Sequence, residues 1–101
     1  MPSNRSHKPG FSEFVREAIL NAQHGICDGC DRPATEVHHK MSNTVTNRKL
    51  FPHFLQSFFN GVGLCHDCHE QKSHLWRVSY DWAWQAEGYL KRAWTPYLEG
   101  V

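Results

Sequence analysis

Apolar positions along this chain change their spacing from one stretch to the next, and each spacing predicts an element. Phe14, Val15, Ala18, Ile19 and Ala22 fall on one helical face. Ser12 suits an N-cap and Gly25 a stop, so a helix is expected from about Ser12 to Gly25. Ala34 to Lys40 is short, contains Thr and Val, and suits a strand. Residues 41–50 are polar and read as a loop carrying Arg48 and Lys49. Phe51, Phe54, Leu55, Phe58 and Phe59 have helical spacing, and Pro52 fits a first turn, which predicts a short amphipathic helix over 51–59. Asn60 to Leu64 holds two glycines and reads as a turn and short strand. A helix should begin near Cys65 and carry His69, Lys72 and Trp76 down its length. The last helix is expected over about Tyr80 to Thr95, with Trp82, Ala86, Tyr89, Ala93 and Tyr97 at helical intervals and Pro96 at or just past its end.

These elements fit one small α+β domain. With 101 residues, a single domain is expected over 11–101, with a core over about 25–75 and a flexible basic tail over 1–10. A chain this short buries a modest fraction of its surface, and a structural metal is a common supplement to a thin core. The 40% hydrophobic and 21% charged composition is ordinary for a globular protein. A formal net charge of +1 argues neither for nor against nucleic acid, so DNA binding would need a local basic patch. The first ten residues lack the apolar core of a secretory signal, and no apolar run approaches a bilayer span. A soluble, cytoplasmic chain is expected, where thiols stay reduced.

That expectation bears on the cysteines. Cys27-x-x-Cys30 and Cys65-x-x-Cys68 are two pairs of identical spacing, 34 residues apart, with no cysteine left over. Each pair can turn both sulfurs to one centre, and four thiolates satisfy a tetrahedral zinc ion. A redox dithiol or two disulfides are the alternatives, and the reducing compartment favours structural Zn²⁺. Four sulfurs leave no open coordination position, so chemistry must lie elsewhere.

The histidines offer the place. His38-His39 stands between the cysteine pairs, Asn60 comes five residues before Cys65, and Cys68 runs into His69 with Lys72 three residues on. In this ordered set the chain resembles the HNH endonuclease family, in its four-cysteine, zinc-containing branch, over about residues 16–74. The resemblance implies a ββα-metal core flanked by N- and C-terminal helices. It implies His39 as general base at the end of the first strand, and His38 and His69 as ligands of a catalytic divalent ion. Asn60 matches the middle residue of the family name, which in some relatives braces the hairpin loop and orients the general base and in others touches the metal; bracing is the role expected here.

Elementary chemistry agrees. Phosphodiester hydrolysis needs an activated water, a Lewis acid and help for the leaving oxygen. Neutral imidazole can take the proton, and one divalent ion can supply the rest. Two imidazole ligands suit Mn²⁺, Co²⁺ or Ni²⁺ better than Mg²⁺. Activity is expected to rise as pH climbs through about 6–7, the ordinary range of histidine. Adjacent strand residues face opposite ways, so His38 and His39 can share a site only if the strand end twists or bends. His66, between the cysteines, has a rival claim as a ligand, but the resemblance places it outside the site. His7, His24 and His53 default to solvent or packing roles, and His74 is close enough to the helix to reach a phosphate.

Duplex DNA is the expected partner. Lys72, Lys40, Arg48, Lys49 and Arg77, with Arg5 and Lys8 in the tail, are candidate phosphate contacts that give affinity without sequence choice. One active site cuts one strand, so a monomer should nick and a homodimer could break both strands. The Trp-rich C-terminal segment reads as a helix packed across the core, a dimer face, or a platform for bases. Two rival functions stand beside the nuclease. One is a non-catalytic zinc-stabilised nucleic-acid-binding module, and the other is a dithiol redox protein.

Overall fold

The computed structural model describes residues 10–98, the side chains of 94–98 excepted. The expected basic tail, with Arg5, His7 and Lys8, lies outside the described residues apart from Gly10. Along the chain come α1 (Glu13–Ala22), β1 (Glu36–His39), α2 (Val45–Leu50), β2 (Gly61–Leu64), α3 (His66–Lys72) and α4 (Tyr80–Leu98), with short 3₁₀ turns at Phe58–Asn60 and Ser73–Trp76. The sheet is two antiparallel strands that pair Glu36 with Leu64, His38 with Val62 and His39 with Gly61. No described helix is long and apolar enough to cross a membrane.

Ser12 caps α1, its side chain accepting the Val15 amide. His24 and Gly25 then adopt positive φ of 56° and 74° and turn the chain out of the helix. Ile19 is the buried residue of this helix, while Phe14 is 81% exposed. The helix lies close over β2 because Gly61 and Gly63 have no side chain: a Cβ on Gly61 would stand 2.2 Å from Ile19 Cδ1, and one on Gly63 2.9 Å from Leu20 Cδ2. Gln23 staples the two elements, donating to the Ile26 and Gly63 carbonyls and accepting from the Gly63 amide.

Residues 41–50 do not stay a loop. Thr44 caps α2 by accepting the Asn47 amide, and buried Asn47 donates to the Ser42 carbonyl and accepts from the Tyr80 hydroxyl. Polar capping holds this helix, so no apolar stripe announces it. The helix expected over 51–59 makes only one α-turn, Leu55 N–H to Phe51 O at 3.0 Å. Ser57 then takes the Phe54 carbonyl through both its amide and its hydroxyl, and Asn60 Nδ2 takes the Leu55 carbonyl. A second turn would need those same two acceptors. Phe51, Phe54 and Leu55 are fully buried, whereas Phe58 and Phe59 are exposed.

One core cluster joins Met41, Phe51, Phe54 and Leu55 to Ala83 and Leu90 of α4. The buried face of α4 is Ala83, Glu87 and Leu90; of the stripe expected from the sequence, Ala86 packs beside this face while Trp82 and Tyr89 are exposed. Small Ala83 lets the helix approach, and the aromatics flank the seam. Trp82 meets Phe54 edge-on at 5.2 Å, and Trp84 meets Phe51 at 4.6 Å. Glu87 accepts both the His53 and Phe54 amides and the His53 ring N–H, tying α4 to the 51–55 turn. The helix runs through Pro96 to Leu98 instead of ending before it, with one ladder bond lost for want of a proline N–H. A second cluster gathers Val62 and Leu64 with Cys27, Cys65 and Cys68, against Cys30 and Trp76.

Candidate functional site

The two cysteine pairs meet. Cys27 and Cys30 sit in a knuckle closed by the Ile26–Pro33 bridge and by Cys27 N–H to Arg32 O at 2.8 Å. Cys65 is the N-cap of α3, and Cys68 lies in its first turn. All four are free thiols, and their sulfurs lie within 4.8 Å of one another. Cys30 Sγ stands 3.6 Å from Cys65 Sγ. Four sulfurs at about 2.3 Å from one zinc ion would stand about 3.8 Å apart, so the cluster is compatible with a structural zinc site. Burial works against charging Cys27, but backbone N–H donors at Cys65 and Gly29 outweigh it and bring that thiol down to about 6. Burial and the neighbouring sulfurs push Cys68 up to about 12. Trp76 closes the knuckle from outside, its Nε1–H donating to Asp28 Oδ2 at 2.7 Å.

A second cluster forms where β1 meets α3. His38 Nδ1 lies 3.1 Å from His69 Nε2. Glu36, two residues before His38 on β1, accepts from His69 Nδ1 at 2.6 Å and from His66 Nδ1 at 2.8 Å. Those two hydrogen bonds hold the Glu36 carboxyl below its ordinary range. A carboxylate only accepts, so His69 carries a proton on Nδ1, and in the neutral ring the lone pair on Nε2 then faces His38. Burial, with the charges of His69 and His39 beside it, brings His38 down to about 4.

His39 faces the other side of the strand, as alternation requires. Its ring stacks on Phe11 with centroids 3.9 Å apart and planes 11° apart, and its Nε2 is 2.7 Å from Gln56 Oε1. Burial lowers its pKa, the Gln56 contact opposing that shift in part. The strand ends at His39 and the chain bends at Lys40, so both rings border one cleft of about 130 Å³ with Lys40, Ser42, Ser73, His74 and Arg77.

Asn60 is fully buried between the strands' connections. Its Oδ1 accepts the Met41 amide, and its Nδ2 donates to the Met41 and Leu55 carbonyls. It ties down the chain just past His39, and its backbone carbonyl accepts the Lys40 amide.

The candidate cations separate. Lys40 and Arg77 line the histidine cleft, and His74 joins them. Lys72 is exposed on the zinc side, lining a groove with Cys30, Arg32, Asp67, Cys68 and Gln71. Arg48 is half-buried and bound to Asn43, and Lys49 is exposed in the last turn of α2. His66 lies between Glu36 and Glu70 on the surface. Glu36, Gln56 and Phe11 escaped the sequence reading. Only Glu36 left a signal there, as a carboxylate on the same face of the strand as His38.

Comparison with family models, curated proteins and solved structures finds no match to this chain.

Proposed function

We propose that this chain is an HNH-type, divalent-metal-dependent DNA endonuclease that nicks one strand of duplex DNA with little sequence preference. The observation that carries the reading is the meeting of His38 from β1 with His69 from α3 at 3.1 Å, beside His39 and a basic cleft. Two nitrogens on one ion at about 2.1 Å stand about 3.0–3.4 Å apart, so the pair fits a shared ion. The Glu36 contact matches the carboxylate–histidine pairing that orients metal-bound imidazoles. A divalent ion held there, Mn²⁺ before Mg²⁺, would act as Lewis acid on the phosphate and its leaving oxygen.

The remaining work falls to the chain's own residues. His39 takes the proton of the attacking water, its ring held flat on Phe11 and fixed at Nε2 by Gln56. Asn60 acts as a brace, since its side-chain amide is occupied by backbone and fully buried. Lys40 and Arg77 hold the phosphate with His74, while Lys72, Arg48 and Lys49 carry less of the contact than their sequence positions imply. Phosphate contacts alone give little sequence choice. Free thiols in a zinc-ready cluster fit a reducing, cytoplasmic setting.

The test is cleavage of a labelled duplex by zinc-loaded protein with Mn²⁺, with Mg²⁺ and with EDTA. Cleavage that needs the added metal is expected. Binding without cleavage under every metal would instead support the non-catalytic module.

A further inference from the structure

We propose that the nucleoside next to the phosphate docks in a second lobe of the histidine cleft, its base laid against the ring of Tyr80. The inference rests on the nuclease reading for the place of the phosphate, and its test separates the two.

The histidine cleft does not end at Arg77. A second cavity of about 120 Å³ shares Lys40, Ser42 and Arg77 with it and runs on to Asn47, Val78 and Tyr80. The three shared residues mark where the two lobes meet, and two of them are the cations proposed to hold the phosphate. No carboxylate lines either lobe. Among the described residues, neither Lys40 nor Arg77 stands in an ion pair that would neutralise it. A strand with one phosphate between these two cations therefore lies in a groove of complementary charge. The first lobe takes the phosphate against the histidines, and a flanking nucleoside enters the second.

Tyr80 has the properties of a platform there. It continues the Ala83, Glu87 and Leu90 face of α4 by one turn, yet it is 54% exposed and ends in the groove instead of the core. Its ring meets Phe51 at 5.8 Å with planes 40° apart. Its hydroxyl donates to Asn47 Oδ1 at 3.1 Å. The sense of that bond is fixed, because buried Asn47 uses Nδ2 on the Ser42 carbonyl, which only accepts. Ring and hydroxyl are thus both held in the free protein, so a base stacking here costs little ordering of the side chain. Half-buried Val78 adds an apolar wall. Stacking on an aromatic ring tolerates any base, which agrees with binding led by phosphate contacts. A base paired inside a duplex has no free face to offer, so the lobe favours a nucleoside that is unpaired beside the cut.

The test measures, by isothermal titration, how zinc-loaded protein without added Mn²⁺ binds thymidine 3′,5′-bisphosphate and its abasic counterpart, 1,2-dideoxyribose 3,5-bisphosphate. Both probes carry the sugar and the phosphates, and only the first carries a base. Wild type is expected to bind the thymidine probe about tenfold more tightly. Tyr80→Ala should remove that difference while leaving the abasic affinity largely unchanged, and Tyr80→Phe should keep most of it. If Tyr80→Ala does not fold, NMR titration of wild type decides. The thymidine probe should then shift the Tyr80 ring resonances, and the abasic probe should shift mainly those of the histidine cleft. Equal affinity of wild type for the two probes, a preference that survives in a folded Tyr80→Ala, or Tyr80 resonances untouched by the thymidine probe would overturn the inference. DNA cleavage by a wild type that shows no such preference would overturn this inference alone. A Tyr80-dependent preference in a protein that fails to cut DNA under every metal would overturn the nuclease reading and leave a nucleoside site.

Discussion

His38 Nδ1 and His69 Nε2 face each other at 3.1 Å although 31 positions separate them in the chain. A strand and a helix thus bring two imidazole nitrogens to hydrogen-bond distance, a spacing that one shared ion would also fit. Replacing either histidine with alanine should abolish saturable Mn²⁺ binding outside the cysteine cluster, with little effect on thermal stability. Isothermal titration of zinc-loaded protein reads this directly. Unchanged Mn²⁺ affinity in both variants would remove these residues from the metal.

Glu36 reaches His69 Nδ1 at 2.6 Å and is predicted to act through it. Glu36→Gln should weaken Mn²⁺ binding by about 10–100-fold while leaving the zinc content intact. Titration against the wild type checks it, and an equal affinity would mean that the bond from Glu36 to His69 does not bear on the metal.

The cysteine cluster is expected to hold the fold. Structural zinc contributes on the order of 10 kcal/mol in small domains, comparable with the whole stability of a domain this size. Cys68→Ser, or chelation of the wild type, should therefore abolish the cooperative thermal transition seen by circular dichroism. A chelated protein that still melts cooperatively would make the cluster dispensable.

Asn60 carries a different kind of load. Asn60→Ala would leave the Met41 amide and the Met41 and Leu55 carbonyls unpaired in a buried place. One or two of these can relax, so a loss of about 3 kcal/mol is expected by denaturant titration. Less than about 1 kcal/mol would mean the loop past His39 does not depend on this amide.

Histidine burial sets the pH dependence. His38 is brought down to about 4 and His39 is lowered from its ordinary value. Between about 4 and 6.5 the unfolded chain takes up a proton at His38 that the folded chain refuses. Stability should rise with pH across that window and level off above it. Activity needs a neutral His39 as base, and because burial lowers its pKa the rise in rate with pH should fall below the range of about 6–7. The sequence alone led to a rise there, because an unburied histidine titrates in that range. A pH–rate midpoint matching that of an unburied histidine would contradict the lowered pKa.

The residues that gather in the two clusters were legible because their spacing is local. Cys27-x-x-Cys30, His38-His39 and Cys68-His69 each lie on one short element, so the chain itself presents them. The second ring of partners was not. Gln56 lies 17 positions from His39, in a stretch whose phenylalanine spacing predicts a helix, and Ser57 and Asn60 divert the carbonyls that helix would need. The helix Val45–Leu50, which carries Arg48, is held by Thr44 and Asn47 and has no apolar stripe to read. On α4 the aromatics suggested the buried face, but the small Ala83 and the triply bonded Glu87 occupy it.

The most direct measurement is a supercoiled-plasmid assay with Mn²⁺, Mg²⁺ or EDTA, on wild type and a folded, zinc-loaded His39→Ala. The account predicts metal-dependent conversion to open circles by the wild type alone, with linear product appearing directly only if a dimer cuts both strands. Intact plasmid with every metal, or equal cleavage by both proteins, would contradict it.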